Sequence, residues 1–149
     1  MDKHEAFLRR AIALSRAAVE KGNHPFGAVL VVDGEIMLEA ENTVVTDRDA
    51  TGHAELNLVR MASRQLDAGA LARATLYTST EPCAMCAGGI FWAGIRWVVY
   101  ACGAQRLGKM AGSPFVVPSR ELFGRAEEEV EVIGPLLEEE AAAVHEGFW

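Results

Sequence analysis

The sequence predicts an α/β domain with helices packed on a central sheet. Three observations carry that reading. Asp33-Gly34 sits between two strand-like runs, the strongest short hairpin signal. Ile95 to Ala101 is a continuous apolar run suited to a buried strand. Apolar residues at helical spacing open the chain and recur between the strand-like runs. The hairpin makes the sheet mixed, not purely parallel.

Taken in order, the first helix runs roughly from Lys3 to Lys21, with Phe7, Ala11, Leu14 and Ala18 on one face. Gly22-Asn23 stops it. Gly27 to Val32 and Glu35 to Ala40 form the hairpin, and a polar loop from Asn42 to Gly52 leads to a second helix carrying Leu56, Val59 and Met61. A short strand, Ala74 to Thr78, precedes Glu81-Pro82, which opens a third helix because proline is tolerated in a first turn. Four glycines and two prolines break any period between Gly103 and Arg125. Glu129 to Ile133 reads as a last strand and Pro135 to His145 as a last helix, its Glu138-Glu139-Glu140 run a solvated face.

No linker or repeat divides the 149 residues, a length that suits one domain able to bury a core without disulfides. Half the residues are apolar and 23% are charged, a globular balance. No apolar run is long enough to span a membrane. The charged opening from Met1 to Glu5 has no signal-peptide core behind it, so a cytoplasmic location is expected. The net charge of −7 disfavours a polynucleotide partner and favours a small substrate, although Arg106 and Lys109 could form a local basic patch. Cys102 has no obvious disulfide partner and reads as a small packed residue.

The chemistry lies in His53-Ala54-Glu55 and Pro82-Cys83-Ala84-Met85-Cys86. His53, Cys83 and Cys86 are candidate zinc ligands, and a set of three would leave the fourth position open, as catalytic zinc sites do. Cys83 and Cys86, three apart at a helix start, present both sulfurs to one side, where the helix dipole favours thiolates. Zinc lowers the pKa of bound water enough to supply a nucleophile near neutral pH. A redox C-x-x-C does not suit the flanking residues. A structural zinc site would need His24 or Cys102 as a fourth ligand, and neither has ligand-like spacing. On a regular helix, His53 and Glu55 point roughly 200° apart, so spacing alone does not bring them to one cavity.

The spacing of H-x-E followed by P-C-x-x-C resembles that of the cytidine deaminase-like zinc deaminases. The resemblance implies a three-layer α/β/α sandwich of five strands, with one Zn²⁺ held between two helix N-termini. It implies Glu55 as proton shuttle, a role suited to a carboxyl pKa raised towards neutrality. It also implies a homodimer. Asn42, eleven residues before His53, stands where related enzymes bind the ring, and the backbone N–H of Ala54 is a second expected contact.

Within the superfamily, His24-Pro25-Phe26-Gly27-Ala28 and Gly88-Gly89-Ile90-Phe91-Trp92-Ala93 look like bacterial guanine deaminase, which would make Phe26 and Trp92 walls of the pocket. Guanine or a related purine is therefore the first expected substrate. The tRNA adenosine deaminases share the Pro82 to Gly88 wording, but they carry His-Ser at Trp92-Ala93 and a basic C-terminal helix, where this chain is acidic. Cytosine deaminases of the yeast type end in an aromatic, acidic tail, and Glu146, Phe148 and Trp149 could form such a cap. Ser113-Pro114-Phe115 departs from guanine deaminases, which carry adjacent acidic residues nearby. Glu146 is the candidate substitute. The resemblance is good from Phe7 to Tyr100 and poor in the last third, which usually decides the substrate. A zinc-stabilised interaction module is the non-enzymatic alternative.

Overall fold

The computed structural model describes residues 3–149. Among the described residues, seven helices and five strands follow the order α1 (Lys3–Glu20), β1 (Gly27–Val32), β2 (Glu35–Glu41), α2 (Ala54–Gln65), α3 (Ala68–Arg73), β3 (Thr75–Thr80), α4 (Ala84–Ala93), β4 (Trp97–Cys102), α5 (Ala104–Ala111), α6 (Ser119–Phe123), β5 (Glu131–Ile133) and α7 (Glu138–Ala143). The sheet order is β2-β1-β3-β4-β5. β1 pairs antiparallel with β2 and β3, while β3, β4 and β5 run parallel. The sheet is mixed, as the hairpin implied, and five-stranded, as the resemblance implied.

The hairpin closes through Asp33 and Gly34, both at positive φ (52° and 81°), the backbone that a two-residue type I′ turn requires. Each side of the sheet has its own core. Ala28, Leu30, Leu76 and Val98 pack on one face against Leu58 and Ala62 of α2 and Ile90 of α4. Val29, Tyr77, Val99 and Ala101 pack on the other against Leu8 and Ile12 of α1 and Ala141 and Ala142 of α7. This alternation along each strand produces three layers. The close approach of α1 falls at Gly27, where an added Cβ would lie 2.4 Å from the Ala11 carbonyl oxygen.

Sequence and structure differ in three places. α3 is absent from the sequence reading; Asp67 caps it, its side chain accepting from Ala70 N–H at 2.8 Å. α4 begins at Ala84, so Pro82 precedes the helix and does not occupy its first turn. The unreadable stretch after Gly103 folds into α5 and α6, joined by an extended excursion.

The candidate active site

β3 delivers its carboxyl end to Thr80, and the short link from there to α4 carries Glu81, Pro82 and Cys83. Cys83 is the N-cap of α4 (φ −70°, ψ 174°), and Cys86 follows in the first turn. Opposite stands His53, the N-cap of α2 (φ −72°, ψ 148°). Its extended backbone resolves the angular problem. His53 lies outside the helix, so the helical rotation does not separate it from Glu55, and both side chains line one cavity.

His53 Nδ1 lies 3.5 Å from Cys83 Sγ and 3.5 Å from Cys86 Sγ. Ligands at about 2.3 Å (S) and 2.05 Å (N) around one tetrahedral Zn²⁺ would stand about 3.6 Å apart, so the spacing fits one shared ion. Among the described residues, this is the cluster that can hold a metal, and its candidate ligand atoms all lie within 4.8 Å of one another. Three ligands leave a position for water or substrate. The Cys86 thiol holds the Cys83 pKa down at about 4 through a hydrogen bond, while that bond and burial push Cys86 up. Metal binding must therefore displace the proton of Cys86.

Glu55 is 5% exposed. Burial, reinforced by the charge of Cys83, raises its carboxyl pKa to about 7. A carboxyl poised there can take up and return a proton near neutral pH.

The cavity above these groups measures about 560 Å³. His24, Phe26 and Trp149 form one wall, and the stretch from Ala104 to Val117 forms the other. No lysine or arginine among the described residues lines it. Trp149 is anchored: its Nε1–H donates to His145 Nδ1 at 3.0 Å, and the two rings stack at 13°. Phe26 meets His145 edge-on at 5.3 Å. An indole N–H only donates, so His145 Nδ1 accepts and the imidazole is neutral, with its proton on Nε2, 3.5 Å from Thr80 Oγ1.

Residues 1–102 match the family described as the cytidine and deoxycytidylate deaminase zinc-binding region. The chain belongs to this family. The probable cytosine deaminase of Schizosaccharomyces pombe is 39% identical over 99% of this chain and 93% of its own. The guanine deaminase of Bacillus subtilis is 48% identical over 66% of this chain and 64% of its own. The solved guanine deaminase of Nitrosomonas europaea superposes with a TM-score of 0.81 at 27% identity, covering 95% of this chain and 81% of that one. The chain is thus a hydrolytic deaminase whose His/Cys/Cys triad can hold one Zn²⁺.

The other expected contacts of this deaminase divide. Phe26 and Trp149 line the cavity. Asn42 is buried behind His24, its Oδ1 accepting from the backbone N–H groups of His24 (3.3 Å) and Val44 (3.1 Å). Ala54 is fully buried as the first residue of α2 and is outside the cavity lining, between His53 and Glu55, which line it. Two expectations are corrected. Trp92 does not wall the pocket of its own chain: it is 84% exposed on the outer face of α4. Glu146 is exposed and outside the cavity lining, so it is no acceptor for a substrate amino group there. Of the two residues of the expected basic patch, Arg106 is paired with Glu138 and Glu139. Cys102 is fully buried in the second core, as a packed residue would be.

His24, Glu81 and the wall from Ala104 to Val117 went unread as cavity residues. Glu81 beside Pro82 was visible in sequence only as a helix opening, and the wall has no period to read.

Proposed function

We propose that this deaminase acts on a free nucleobase-like heterocycle, with guanine or a related purine as first substrate, replacing a ring amino group by a carbonyl and releasing ammonia. The carrying observation is the buried carboxyl of Glu55 beside the His53/Cys83/Cys86 triad, at the base of a largely apolar cavity. When bound, Zn²⁺ supplies water whose pKa is brought near 7. With His53, Cys83 and Cys86 holding the ion, the Glu55 carboxyl would carry the proton from the attacking water to the ring nitrogen and then assist departure of ammonia. Phe26 and Trp149 offer the flat ring one aromatic wall to pack against. The Nδ2 amide end of Asn42, whose oxygen is already engaged, and the Ala54 N–H donate to ring acceptors. The same reading takes the working form as a cytoplasmic homodimer.

The cavity volume suits a bicyclic base, and the superposition on a guanine deaminase covers nearly the whole chain. One observation favours cytosine as a second reading. The S. pombe relative aligns through the last third of the chain, whereas the B. subtilis guanine deaminase aligns over only 66%.

The test is ammonia release from guanine, adenine, cytosine and their nucleosides by zinc-loaded protein, with Glu55→Ala as control. Turnover of guanine, lost in the control, supports the first reading, and preferential turnover of cytosine supports the second. A protein that turns over none of the free bases refutes both.

A further inference from the structure

We propose that Glu81 is a positioning residue whose one carboxylate latches both ends of the 104–119 excursion, fixing the outer wall of the cavity and thereby the KM for the heterocycle. The inference rests on the deaminase reading and adds a specificity-determining residue to it.

Glu81 is 8% exposed, and every partner of its carboxylate is a donor. Oε1 accepts from Ala104 N–H at 2.9 Å. Oε2 accepts from Ser119 N–H at 2.8 Å and from the Ser119 hydroxyl at 2.6 Å. Ala104 is the first residue of α5 and Ser119 the first of α6. Everything the excursion contributes to the cavity, including Leu107, Gly108, Phe115 and Val116, lies between these two points. The excursion also closes on itself, since a Cβ on Gly108 would meet Val116 Cγ2 at 2.7 Å. The wall is therefore a packed unit tied down at both ends by one group.

The tie leads directly to the chemistry. Glu81 N–H donates to the Cys102 carbonyl at 2.7 Å, pinning the residue between the ends of β3 and β4. Two residues further on is the metal ligand Cys83. Glu81 thus sets the wall's position relative to the triad. Glutamine cannot replace it: with one oxygen and one NH₂, it must turn donors toward either Ala104 or Ser119. The fold has other supports at these ends. Gly103 N–H donates to Glu138 Oε2 at 2.9 Å, and the Arg120 guanidinium donates to Tyr100 Oη at 3.1 Å and the Val132 carbonyl at 3.0 Å. Losing the latch should therefore loosen the wall without unfolding the chain.

The experiment compares wild type, Glu81→Gln and Ala104→Pro. Proline removes only the α5 donor: it suits a first helical position, and Gly103 (φ −71°, ψ 153°) already has the extended backbone that proline requires before it. For Glu81→Gln, KM for guanine or cytosine should rise about tenfold or more, with a smaller fall in kcat, as loss of a charge-assisted hydrogen bond implies. Zinc should remain at one per chain. Amides from 104 to 119 should exchange with solvent faster, and Ala104→Pro should shift KM and exchange in the same direction by less. Unchanged exchange and KM in both variants would overturn the latch. So would zinc loss with a collapsed kcat at unchanged KM, which would put Glu81 in the metal centre. If wild type turns over neither base, the functional reading fails, and the exchange data alone decide the latch.

Discussion

Burial sets the behaviour of the two titratable groups that matter most at the site, Glu55 and His145. Removal of Glu55 from water raises its pKa to about 7, which equips it to shuttle a proton. Glu55→Gln should retain zinc and lower kcat by roughly 10²–10⁴-fold, the usual worth of a positioned acid–base group, as single-turnover ammonia release would read. His145 moves the other way. Burial depresses its pKa to about 4, so the folded state holds it neutral while the unfolded chain protonates below about 6.5. The unfolded state then binds more protons, and the associated stability, complete above pH 6.5, is lost as pH falls towards 4. Imidazolium would also turn Nδ1 into a donor facing the Trp149 N–H and release that ring from the cavity wall. Between pH 7.5 and 4.5, wild type should lose on the order of 2 kcal/mol more stability than His145→Asn. Denaturant titrations of the pair at both pH values check this, and parallel losses would refute it.

At the level of elements, the site consists of two helix starts brought face to face by the sheet. His53 and Cys83 are both N-caps with extended backbone, which is why an H-x-E triplet can send both side chains into one space. The sequence made the ligands legible because metal binding restricts residue type and spacing so tightly. It made the hairpin legible because positive φ at Asp33 and Gly34 restricts the turn. The 104–119 wall was illegible because its ends are held by hydrogen bonds to residues distant in sequence, Glu81 among them, and not by any local period. Trp92 was misplaced because a motif gives a residue's neighbours but not the direction its helix faces. The packing of α1 on β1 provides a prediction at this scale. Gly27→Ala would push a methyl into the Ala11 carbonyl and Leu14 Cβ (2.6 Å), contacts made by backbone and stem atoms that cannot swing aside. Overpacking of this kind costs about 1–3 kcal/mol, or roughly 3–10 °C in Tm. A melting curve within 1–2 °C of wild type, on the order of experimental scatter, would show that α1 is free to shift.

Across the whole molecule, acidic charge and a cavity that no lysine or arginine among the described residues lines support the proposed reading of a small uncharged ring as substrate. The outer surface of α4 adds a requirement of its own. This helix is apolar on all sides, a pattern expected of a helix covered all round. Its inner face, with Cys86, Ala87 and Ile90, is buried in the core. Its outer face carries Met85 at 37% exposure, Gly88 with open space above it and Trp92 at 84% exposure. These residues are three and four positions apart and form one stripe. Exposed apolar surface of this kind fits the homodimer proposed above, in which a second copy meeting it across a two-fold axis would cover both stripes at once. Wild type should therefore sediment as a dimer at micromolar concentration. Trp92→Glu, which places a charge at the centre of the stripe, should sediment as a monomer while keeping its zinc, because Trp92 touches neither the triad nor the cavity. A monomeric wild type, or a Trp92→Glu protein that remains dimeric, would show that α4 is not the surface through which the subunits meet.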